Sequence, residues 1–103
     1  MPEFGNPFSG LAENRNLTET ELVRAIRFMI SAEYEAIQLY MQLAESIDHS
    51  LAKKVLIDIA DEERVHAGEF LKLLHELAPD EKKLYEEGAE EVQEMIDKLK
   101  KNK

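Results

Sequence analysis

The chain contains no cysteine, which excludes disulfide frameworks, thiolate zinc sites, iron–sulfur clusters and cysteine nucleophiles together. Any metal has to be held by oxygen and imidazole. No apolar run approaches the roughly 20 residues needed to cross a bilayer. The opening stretch MPEFGNPFSG lacks the basic and apolar regions of a signal peptide, so a cytoplasmic protein with no membrane partner is expected. Basic residues are scarce: 13 Lys and Arg against 22 Asp and Glu give a formal net charge of −9, a sign that repels nucleic acid and anionic lipid. Also missing are an HExxH string, a G-x-S-x-G elbow, a Gly-rich phosphate loop and a C-x-x-C pair. Acyl-transfer and nucleotide chemistry have no foothold.

What is present suits one small all-α domain. The 103 residues are 44% hydrophobic and 34% charged, too short a chain for two independent cores. Proline and glycine are few, and Pro2, Gly5, Pro7 and Gly10 crowd into a start with no helical or strand period. Residues 1–17 are therefore expected to be a flexible N-terminal arm, offering Phe4, Phe8 and Leu11 to a neighbouring subunit. Thr18, with Glu21 three residues on and Leu17 and Leu22 as a hydrophobic staple, then reads as a capping box. A first helix is expected over about 19–47, with Leu22, Ile26, Met29, Ile30, Ile37, Tyr40, Ala44 and Ile47 on its apolar face. The stretch Ile47-Asp48-His49-Ser50 turns the chain back. A second helix carries Leu51, Val55, Leu56, Ile59, Phe70, Leu73, Leu74 and Leu77 and stops before Ala78-Pro79. Residues 18–78 form the expected hairpin; 79–103 are a C-terminal helical segment beginning at Asp80 and broken at Gly88.

Two helices of about 28 residues are each roughly 42 Å long, and a lone hairpin of that shape cannot bury both stripes. Two hairpins are expected to dimerise into a four-helix bundle. Polar residues interrupt those stripes at matching heights. Glu33 lies four after Met29 and four before Ile37, and Glu63 with His66 sits between Ile59 and Phe70. Diiron carboxylate bundles take one Glu from each of two helices and a Glu-x-x-His from each of the other two, so this chain supplies half of such a set. The i, i+3 spacing of Glu63 and His66 puts both on one helical face. Four glutamates from two chains would offset the charge of two Fe²⁺, and carboxylate with imidazole suits iron or manganese better than copper.

The Glu-x-x-His string alone carries little weight, since with 17 glutamates and three histidines chance supplies one about two times in five. Its position in the stripe carries the reading. The competing explanation is a buried polar network that fixes helix register. Glu62, about 100° round the helix from Glu63, is a candidate neighbour of the site, though a rim position suits it better. Asp61 and Glu69 read as solvated residues, though Glu69, three after His66, could stand behind it. Tyr40, seven residues beyond Glu33, is equally a site neighbour and an ordinary core tyrosine. Tyr34, His49 and His75 lie off the stripe or in the turn, and Glu35 is at best a weak outer metal position.

The runs SAEYEAIQLYMQLAE and IADEERVHAGEFLKLL, with thirty residues from Glu33 to Glu63, resemble the encapsulated ferritin family of the ferritin-like superfamily over about residues 21–77. Full ferritins and rubrerythrins, by contrast, hold four helices in one polypeptide. The resemblance implies a ferritin-like hairpin with a shorter third helix, and a ferroxidase site built when two chains pair. Glu33, Glu63 and His66 would be the iron ligands and Tyr40 an aromatic neighbour. It further implies an annular decamer that oxidises Fe²⁺ with O₂ for iron storage inside an encapsulin nanocompartment in the cytoplasm. The tail EEVQEMIDKLKKNK has no Gly-, Leu- and Ile-rich targeting peptide, so the encapsulin partner rests on the resemblance, with fusion to a shell as another route. Two other readings stay open: a rubrerythrin-like diiron peroxide reductase, weakened by the absence of cysteine for a rubredoxin domain, and a metal-free helical interaction module.

Overall fold

A computed structural model describes residues 14–102. The expected N-terminal arm lies mostly outside them. The described residues form three α-helices and no strands: α1, Glu19–Glu45; α2, Ser50–Leu77; and α3, Pro79–Lys101.

α1 begins where two orphaned backbone amides find side-chain partners. The Glu21 amide donates to Thr18 Oγ1 at 3.2 Å, the Thr18 amide donates to Glu21 Oε1 at 2.9 Å, and Arg15 grips both oxygens of Glu21 at 2.7 and 2.9 Å. The capping box is thus complete. α1 ends at Glu45, two residues earlier than the periodicity suggests. Ser46 stops it: the hydroxyl donates to the Gln42 carbonyl at 2.6 Å and the amide to the Leu43 carbonyl at 3.0 Å, so the chain turns before Ile47. His49 then caps α2, its Nδ1 accepting the Ala52 amide at 3.2 Å. Pro79 ends α2 and opens α3 at the first helical position, where its missing amide costs nothing. α3 therefore starts one residue before Asp80.

The expected break at Gly88 does not occur. α3 runs through it to Lys101, because glycine costs only about 1 kcal/mol in a helix interior and the flanking Glu and Ala residues are good helix formers.

α1 and α2 pack antiparallel, bringing Ile26 and Ile30 to Leu74 at one end of the hairpin. These three, with Leu22, Val23, Phe70, Leu71, Leu77 and Ala78 against them, make the large-side-chain core. Further along, the seam is built from small residues: Ala44 is 1% exposed, Ala60 0% and Ala67 5%. The large stripe residues Leu51, Val55 and Leu73 are 65%, 47% and 41% exposed in the single chain, as a hairpin too slender to bury both stripes leaves them. Their stripe is real, but it faces away from the α1–α2 seam.

α3 leaves the hairpin after its second turn, and its residues are exposed from 82 onward. Arg27 of α1 is hydrogen-bonded to Glu81, whose other partner is the Tyr85 hydroxyl. The Tyr85 ring meets His75 of α2 edge-on, centroids 5.8 Å apart at 64°. No described helix is long and apolar enough to cross a membrane.

Candidate metal centre

The antiparallel seam sets the middle of α1 beside the middle of α2, so Glu33 faces Glu63 and His66. One donor atom from each lies within 4.8 Å of the others. His66 Nδ1 is 3.6 Å from Glu63 Oε1 and 3.8 Å from Glu33 Oε2. Both separations are too long for hydrogen bonds. They fall within the span of about 4 Å available to donors each about 2.1 Å from a shared ion. Among the described residues this is the one such group of three.

Burial differs across the group. The Glu33 and Glu63 side chains are 16% and 20% exposed, His66 49%, so the carboxylates sit against the seam and the imidazole stands at the opening. Glu33 Oε2 is buried and accepts no hydrogen bond, an uncommon state that costs about 1–3 kcal/mol. The Glu33 pKa is raised, first by the Glu63 carboxyl that faces it, then by burial and by repulsion from the Glu63 charge, with His66 pulling the other way. A cation at the convergence point would answer both the missing partner and the crowded charge. The donor set fits a hard or borderline divalent metal.

Other candidates fall differently. Glu62 is exposed and outside the group, as is Glu35, and half-buried Tyr40 lies two turns further along α1. A shallow depression over the group is lined by Glu33, His66, Glu69 and Phe70, which brings in a phenylalanine that periodicity assigns to the core alone. Tyr34 lines a separate hollow with Arg27, Ile30, Leu71, Leu74 and Tyr85. The Arg27–Glu81–Tyr85 cluster has no signature in the sequence, because 54 residues separate Arg27 from Glu81.

The family model for rubrerythrin matches residues 24–103. Among known proteins, the chain is 43% identical over 81 residues to the encapsulin nanocompartment cargo protein EncC of Myxococcus xanthus, covering 79% of this chain and 61% of that one. It is 41% identical over 78 residues to a ferritin-like–encapsulin shell fusion protein of Pyrococcus furiosus, covering 76% of this chain and 23% of the relative. The chain thus spans about a quarter of the fusion protein and three-fifths of the cargo protein. The crystal structure of the encapsulated ferritin domain from Pyrococcus furiosus superposes with a TM-score of 0.76 at 40% identity, over 78% of this chain and 82% of that one. The chain belongs to the rubrerythrin family of ferritin-like domains and, within it, to the encapsulated ferritins.

Proposed function

We propose that two copies of this chain complete a diiron ferroxidase site, with Fe²⁺ as the substrate and O₂ as the electron acceptor. The observation that carries the reading is the buried, unpartnered Glu33 Oε2 converging with Glu63 and His66. One chain offers half the donors of a diiron carboxylate centre, so a second hairpin meeting the first across this face would supply the rest. The half-exposed His66 and the apolar side chains left outside the seam, Leu73 among them, support that face as the meeting surface.

In this reading Glu33 of each chain would bridge or chelate the two ions, and Glu63 with His66 would hold one ion per chain. The hairpin orients these donors before the substrate arrives. His66 binds through Nδ1 and keeps its other nitrogen protonated. Two Fe²⁺ would together give two electrons to one O₂, which takes up two solvent protons and leaves as H₂O₂, and the same carboxylates would favour the harder Fe³⁺ that results. The oxidised iron then leaves for storage. Relatives named as encapsulin cargo and encapsulin fusion support an encapsulin shell as the partner and the nanocompartment lumen as the location; an annular decamer is the assembly that the family resemblance implies.

The test replaces Glu63 and His66 by alanine in separate variants. Rapid aerobic Fe²⁺ oxidation, followed by ferric absorbance, should disappear in each while far-UV circular dichroism keeps its helical signature. Undiminished oxidation in both would overturn the assignment.

A further inference from the structure

Glu69 stands close to the donors without being one of them. It lines the depression over the centre together with Glu33, His66 and Phe70, one helical turn after His66. Side chains on a helix lean toward its N-terminus, so Glu69 covers the turn that carries His66. Glu62, one turn before His66, leans away and does not line the depression.

The imidazole has a fixed inner side. Nδ1 faces Glu63 and Glu33, at 3.6 and 3.8 Å, which leaves Nε2 as the nitrogen for an outer partner on a ring that is 49% exposed. An imidazole that ligates through Nδ1 must carry its proton on Nε2, and metal-bound histidines nearly always donate that second N–H to a carboxylate, a carbonyl or water. Glu69 is exposed and has no hydrogen-bond or ion-pair partner among the described residues. Its carboxylate is free to turn onto the ring.

We infer that Glu69 is a positioning residue: it accepts the Nε2 proton of His66 and so holds the imidazole in the tautomer whose Nδ1 lone pair faces Glu33 and Glu63. The inference rests on the metal-site reading above and adds to it a fourth side chain that never touches the metal. Alanine at 69 offers the ring no acceptor, whereas glutamine keeps an acceptor oxygen on a side chain of the same length.

The experiment titrates Zn²⁺, a redox-silent probe, into the full chain against a competing chelator. Wild type is compared with Glu69→Ala, Glu69→Gln and His66→Ala, and the His66 tautomer is read by nitrogen-15 NMR of histidine-labelled protein. The expected result is a loss of about 10–100-fold in affinity for Glu69→Ala, most of it restored in Glu69→Gln, with the Nε2–H tautomer depleted only in the alanine variant. Unchanged affinity and tautomer in Glu69→Ala would overturn the inference. So would equal losses in the alanine and glutamine variants with the tautomer unmoved, since that pattern reports charge alone. His66→Ala separates the two levels: wild-type affinity there would sink the metal site itself, whereas loss there with none in Glu69→Ala would sink only the role of Glu69.

Discussion

A buried carboxylate awaiting a cation should weaken the metal-free protein, and Glu33→Leu measures by how much. Leucine is a good helix former of similar bulk, so the backbone has no reason to change. The substitution removes an acceptor that is buried and unpartnered at Oε2, a defect worth about 1–3 kcal/mol when complete. Because the side chain as a whole is 16% exposed, the lower end applies, about 1 kcal/mol. Leucine also places apolar atoms where the charge stood. For a domain of this size 1 kcal/mol moves Tm by about 4–8 °C. In excess chelator, at matched protein concentration, the variant should therefore melt about 4–8 °C above wild type. Added Zn²⁺ should reverse the order. Wild type gains about 2.7 kcal/mol at a free metal concentration of one hundred times Kd, while a variant missing one donor gains much less. A Glu33→Leu variant that melts below wild type in chelator would refute the reasoning, because Glu33 would then have been a structural asset.

Three further outcomes follow from the same geometry. The guanidinium of Arg27 holds the Glu81 carboxyl below the usual carboxylate range, with burial opposing it and Tyr85 assisting. A depressed carboxyl pKa contributes stability that is full above the ordinary carboxylate value and is lost as pH falls through the folded-state value. Glu81→Gln should hence cost about 0.5–1 kcal/mol at neutral pH, given that Arg27 is 48% exposed. Urea melts of variant and wild type should converge in acid; a gap that widens there would contradict the assignment. At Gly88 an added Cβ meets nothing within 4 Å, so Gly88→Ala should stabilise α3 by about 1 kcal/mol and slow its amide exchange about fivefold, whereas faster exchange would mean that this face packs against another surface. With H₂O₂ offered in place of O₂, wild type should oxidise Fe²⁺ no faster through Glu63 and His66; a strong preference for peroxide, abolished in His66→Ala, would favour the peroxide reductase reading.

The parts of this molecule that could be read from sequence are those where a local rule and a long-range need coincide. Thr18 and Glu21 obey the capping box, and the box exists. Glu33, Glu63 and His66 break an apolar period at matched heights on two helices, and an antiparallel hairpin brings such positions together. Periodicity marks which residues are apolar, not which of two seams they serve: within one chain the α1–α2 seam closes on Ala44, Ala60 and Ala67, while Leu51, Val55 and Leu73 of the stripe face outward, because small residues let two helix backbones approach. α1 ends early where the Ser46 amide turns to the Leu43 carbonyl and the Ser46 hydroxyl donates to the Gln42 carbonyl, a local arrangement that periodicity does not encode. Continuity through Gly88 came from neighbours strong enough to carry a weak residue. The pairing of Arg27 with Glu81 depends on the angle at which α3 departs, which no spacing rule encodes.

Ala60 and Ala67, at 0% and 5% exposure, stand three residues before and four after Glu63, directly above and below it on the same helix face. They act as the calipers of the centre: the bite between Glu33 on one helix and Glu63 with His66 on the other is set by two methyl groups. A larger residue at either position would add apolar contact and at the same time prise the helices apart, stretching a donor triangle already near the reach of a single ion. Thermal robustness and metal grip thus pull on the same two positions in opposite directions, and here the smallest side chains that still hold a helix stand at both.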